Sequence, residues 1–86
     1  MATGVIQKEH GIHTNITCEY VSENMMRAYN VDVPTGYYLK NSIINIVYND
    51  TSIKVKNIQL SSTDIIAIGD NFSQDNSLIL CVTWIR

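Results

Sequence analysis

Hydrophobic and polar residues alternate with a period of two along most of this chain, the repeat of a strand with one buried face. Over residues 14–21, Ile16, Cys18 and Tyr20 alternate with Asn15, Thr17 and Glu19, which predicts a half-buried strand. Ser22-Glu23-Asn24 then reads as a turn. Tyr29, Val31 and Val33 alternate with Ala28, Asn30 and Asp32. They predict a second strand, which Pro34 must end because it has no N–H for a ladder. Pro34-Thr35-Gly36 supplies the turn, since proline presets φ and glycine accepts a positive one.

Tyr37-Tyr38-Leu39 resumes extended structure, and Ser42 to Tyr48 is a nearly continuous β-branched run. Such a run predicts a strand buried on both faces. Asn49-Asp50-Thr51-Ser52 reads as a hairpin loop into Ile53-Lys54-Val55-Lys56. There the alternation slips by one residue before Ile58 and Leu60, predicting a bulge or tight turn near Lys56-Asn57. Residues 65–68 form another strand, stopped by Gly69-Asp70-Asn71, and Gln74-Asp75-Asn76-Ser77 closes the following loop. The last strand, residues 78–85, is apolar on both faces apart from Thr83. It should sit centrally in its sheet or have its second face covered by another subunit. About seven short strands separated by turn signals predict an all-β chain, a small antiparallel β-sandwich over residues 14–86. Residues 1–13 read as a lead-in or linker, and a short turn around Glu23 to Ala28 is the only helical alternative.

Composition narrows the function more than the fold. With 86 residues the chain holds one domain, and a core of that size leaves little room for a preorganised pocket. A net charge of −2 with six Lys plus Arg offers no phosphate-binding field, so nucleic acid is not expected as a partner. No apolar run reaches the roughly 18 residues of a membrane span, and Met1 to Val5 lacks the pattern of a secretion signal. The two cysteines, Cys18 and Cys81, lie in apolar alternations and are expected to be reduced thiols that pack as small hydrophobes. Three Asn-x-Ser/Thr triplets, at Asn15, Asn49 and Asn71, are read as accidents of an Asn- and Thr-rich composition.

Catalytic signals are missing. His10 and His13 bracket a glycine without the helical spacing and third ligand that zinc requires, so no metal is expected. The carboxylates fall mostly at turns or on polar strand faces. No nucleophile elbow, P-loop or dinucleotide fingerprint occurs, and Cys81 has no histidine near it in sequence. The expectation is a non-enzyme without cofactors. Binding residues are easier to name. Tyr37 and Tyr38 follow a turn, and Phe72 sits in a polar loop beside Asp70 and Asn71. Aromatic rings with polar neighbours hold sugars or protein surfaces at low entropic cost.

The stretch Asn30-Val31-Asp32-Val33-Pro34-Thr35-Gly36-Tyr37-Tyr38, the run Ile43 to Tyr48, the strand Asp64 to Ile68 and the ending Leu80-Cys81-Val82-Thr83-Trp84-Ile85-Arg86 together resemble something known. They are similar in texture to the C-terminal receptor-binding tip domains of bacteriophage tail fibres and tailspike-like proteins. The resemblance covers roughly residues 14–86 and rests on no diagnostic motif. It implies a homotrimer in the virion that recognises a host-surface glycan or protein, with Leu80, Val82 and Trp84 on a seam across the three-fold axis. Two other classes fit the same composition: a small intracellular inhibitor or immunity-type protein in the host cytoplasm, and a structural trimerisation module.

Overall fold

A computed structural model describes residues 12–85. Seven strands follow one another: β1 (His13–Thr17), β2 (Glu19–Ser22), β3 (Met25–Ala28), β4 (Ile43–Asn49), β5 (Lys54–Leu60), β6 (Ile65–Asp70) and β7 (Leu78–Thr83). A single 3-10 turn, Leu39–Asn41, precedes β4. The strands form two antiparallel sheets, ordered β1-β7-β4 and β2-β3-β6-β5. The fold is all-β and sandwich-like, as the alternation predicts.

Period-two burial explains how the sheets meet. On β7, Leu78, Leu80 and Val82 are buried while Ile79 and Cys81 between them are only half-buried; on β6, Ile65, Ala67 and Gly69 are the inward set. These join Met26 and Ala28 of β3, Leu39, Ile53, Phe72 and Trp84 in one core. The last strand is central in its sheet, flanked by β1 and β4. One face of β7 packs in the core, while Ile79 and Cys81 on the other face stay half-buried.

The strand expected over residues 14–21 is two strands. Cys18 alone separates β1 from β2, and at that residue the chain leaves one sheet for the other. Its N–H donates to the Leu78 carbonyl at 2.9 Å, and burial pushes its thiol up to about 11 by disfavouring the thiolate. Strands β1 and β7 pair with Cys81 opposite Asn15. Both thiols are free, and Cys81 is half-buried.

Residues 29–33, predicted as a strand, are irregular, and the strand lies just before them at Met25–Ala28. Asn30 interrupts the ladder by taking a positive φ of 49°, a conformation asparagine tolerates better than most residues. Val31 keeps one pairing, its N–H donating to the Thr63 carbonyl at 2.7 Å. The loop expected at Asn49 to Ser52 is no hairpin, since β4 and β5 belong to different sheets. The slip near Lys56-Asn57 is a real irregularity in the β5–β6 register, between Val55 and Asn57.

Asp64 fixes the bend that Asn30 creates. Its Oδ1 accepts the Asn30 backbone N–H at 2.9 Å. Its Oδ2 accepts Arg27 Nε at 2.8 Å and Nη2 at 2.7 Å, and Arg27 also lies 5.2 Å over the Tyr29 ring. The Asn30 bond first, and Arg27 next, hold the Asp64 carboxyl below its ordinary value. A lowered folded value means that this stabilisation is fully present above the unfolded carboxyl value of about 3.9. It is lost as pH falls through the folded value. Urea midpoints are therefore expected to drop as pH is lowered from about 5 to 2, and Asp64→Asn to flatten that drop. Asp50, lowered chiefly by the Ser52 backbone N–H, carries a remaining share. A profile equally steep in Asp64→Asn would show that the clasp does not titrate.

Candidate functional site

The turn at Pro34 builds the site. The Tyr37 N–H donates to the Pro34 carbonyl at 3.1 Å, and Gly36 takes φ 88°, the positive value a type II turn requires at its third position. This reversal brings Tyr37 onto the end of the core. Its ring meets Trp84 edge to face, with centroids 6.4 Å apart and planes at 65°. Trp84 is itself held: its indole N–H donates to Thr14 Oγ1 at 3.0 Å and its backbone N–H to the Ile12 carbonyl at 3.1 Å. Tyr37 is thus a fixed wall, whereas Tyr38, next in the chain, is 71% exposed.

Between them opens a cleft of about 440 Å³, lined by Val33, Tyr37, Tyr38, Leu39, Lys40, Asn41 and Ser62. The 3-10 turn places Lys40 and Asn41 at its rim, held by Ser42, whose N–H donates to the Leu39 carbonyl at 3.1 Å and whose hydroxyl donates to the same carbonyl at 2.6 Å. Ser62 arrives from the β5–β6 connection. The walls are therefore aromatic and aliphatic, and the polar groups are a hydroxyl, an amide and an ammonium. No carboxylate, thiol or imidazole lines it.

The remaining sequence candidates lie elsewhere. Asp70, Asn71 and Phe72 follow the far end of β6, next to the β2–β3 turn, where the Phe72 N–H donates to the Glu23 carbonyl at 3.0 Å. The cleft residue Ser62 precedes the near end of β6, so the strand's six residues separate the two groups by about 20 Å. Phe72 is only 3% exposed and belongs to the core, so it offers no platform to a ligand. Asp70 is engaged by Lys56 at 2.9 Å and by Asn24 at 3.4 Å. Asn71 is exposed, at φ 67°. Leu80, Val82 and Trp84, expected on a subunit seam, are fully buried within the single chain. They fill the space between the sheets and present no surface to another subunit.

His10 and residues 1–11 as a whole fall outside the described residues. His13 opens β1, with Nδ1 3.2 Å from Thr83 Oγ1, so the fold begins within the segment read as a lead-in. Among the described residues no three His, Cys, Asp or Glu side chains gather as a metal would need, and no helix is long and apolar enough to cross a membrane. Lys40, Asn41 and Ser62 escaped sequence reasoning. The first two follow Tyr38 directly and share its turn, but nothing local joins Ser62 to them across the fold. Compared with known proteins, the chain matches no family model, no curated protein and no solved structure.

Proposed function

We propose that this protein is a non-enzymatic recognition module that holds a neutral glycan of a host surface, as the tail-fibre resemblance implies, in the Tyr37–Tyr38 cleft. The observation that carries this reading is the pairing of one fixed and one exposed tyrosine around a cavity of about 440 Å³, within the usual size range of small-ligand sites. A pyranose presents an apolar face and a rim of hydroxyls. Aromatic rings cover the first, and the Lys40, Asn41 and Ser62 side chains can hydrogen-bond the second.

Glycan-array screening followed by calorimetry tests the reading. Tyr38→Ala is expected to weaken the best glycan at least about tenfold, roughly 1.4 kcal/mol. Its thermal midpoint should match that of the wild type, because the ring is mostly exposed. Binding that survives Tyr38→Ala unchanged would remove the cleft from consideration, and an array without a single specific hit would remove glycans.

A further inference from the structure

We infer that β4 is a self-association edge: two copies of the chain join their β4 strands antiparallel about a two-fold axis, merging two three-stranded sheets into one of six. The inference goes beyond ligand recognition and rests on a comparison of the sheets' free edges. The two sheets end in four edge strands, β1, β4, β2 and β5. Exposed edges invite pairing with another chain, and natural sheets blunt them with short length, charge or bulges. Strand β5 carries Lys54 and Lys56 and the Lys56–Asp70 ion pair at 2.9 Å. Strand β2 has four residues, among them Glu19. Strand β1 has five, mostly polar.

Strand β4 is different. It runs seven residues, Ile-Ile-Asn-Ile-Val-Tyr-Asn, with no charge and no proline. Ile43, Ile46, Val47 and Tyr48 are 44%, 44%, 55% and 52% exposed. Its one irregularity lies in the pairing with β7, between Ile46 and Tyr48, and leaves Val47 without a partner there. The β-branched run of this segment predicts burial on both faces, yet in the single chain only Ile44 of its seven residues is even half-buried.

Charge selects the occupant. Two-fold pairing sets a strand against its own copy, so any charged residue near the axis meets its like. Strand β5 would bring lysine against lysine, whereas β4 brings only apolar and amide side chains together. A foreign strand recognised by charge would find nothing on β4 to answer it. The cleft segment, Tyr37 to Asn41, runs almost directly into β4, so such a dimer carries its two clefts at a fixed separation. A joint of this length is small by the standard of permanent interfaces, so a reversible dimer is expected.

Sedimentation velocity of the full chain over about a hundredfold concentration range should show monomer passing to dimer. Val47→Lys should raise the dissociation constant at least about tenfold, while its far-ultraviolet spectrum, and its melting temperature at concentrations where the wild type is monomeric, stay those of the wild type. In parallel, β4 amides of the wild type should gain protection from hydrogen exchange as concentration rises, and β5 amides should not. This second measurement needs no variant and decides the matter if Val47→Lys fails to fold. A monomer throughout, a trimer, a dimer untouched by folded Val47→Lys, or protection that appears anywhere but β4 would each overturn the inference.

Discussion

Replacing Gly69 by alanine is expected to lower the unfolding free energy by about 3–5 kcal/mol, a large part of the roughly 4–13 kcal/mol available to a chain of this length. Gly69 is inward on β6 and pairs with Val55. A Cβ there overlaps the Lys54 carbonyl oxygen and stands 2.9 Å from both the Lys54 carbonyl carbon and Phe72 Cζ. Side chains can step aside, but two of these three atoms are backbone. Nor can β6 retreat, because Asn24 grips Gly69 from its other side. The Gly69 N–H donates to the Asn24 carbonyl at 3.0 Å, and Asn24 Nδ2 donates to the Gly69 carbonyl at 3.0 Å. The methyl group therefore separates β5 from β6 or expels Phe72 from the core. Equilibrium urea unfolding checks it: a fall in the midpoint of about 1–3 M is expected for a protein of this size. An unshifted midpoint would show that the irregular register at Val55–Asn57 has slack to absorb a methyl group.

The second large effect is at Trp84. Trp84→Ala is expected to cost about 3–5 kcal/mol, the usual range for removing a buried indole. The ring is fully buried and closes the core beneath the Pro34 turn. Its loss also leaves Thr14 Oγ1 without the indole N–H that meets it at 3.0 Å. Trp84→Phe divides the loss, since it keeps a six-membered ring and removes the donor together with the pyrrole half of the indole; about 1–3 kcal/mol is expected. Denaturant unfolding of both variants measures the difference. Equal losses would mean that a phenyl ring in this place contributes nothing to holding the C-terminal end. Because Tyr37 leans on Trp84, the alanine variant should also loosen the cleft wall.

Much of this was legible in the residues, and the failures have physical causes. The bulge near Lys56 was visible because the apolar period slips there; the two apolar faces of β7 left a central position or a covering subunit open, and the sheet order gives the central position. The break at Cys18 was hidden, because a strand that changes sheets keeps its alternation through the crossing. Residues 29–33 alternate correctly too, but Asn30 at positive φ, tied by Asp64, removes them from the ladder. Tyr37 and Tyr38 were found because a turn signal precedes them. Phe72 was misplaced because its neighbours are polar. The clue was Gly69, three residues earlier: a glycine inside a strand leaves a hollow, and the Phe72 ring fills it. Ser62 had no local signal, since only tertiary structure brings the β5–β6 connection to the Pro34 turn.

The placement of β7 between β1 and β4 also orders the assembly of the molecule. The other sheet contains two hairpins, β2–β3 and β5–β6, that close over short stretches of chain. The β1-β7-β4 sheet has no such start, since its strands join residues as far apart as His13 and Thr83. Contacts of that span form late, after the entropy of a long loop has been lost. During synthesis β1 and β4 emerge with nothing to pair with until β7 follows them. For that interval the uncharged β4 strand is open on both edges, so a ribosome-bound nascent chain is most exposed to mispairing just before its seventh strand appears.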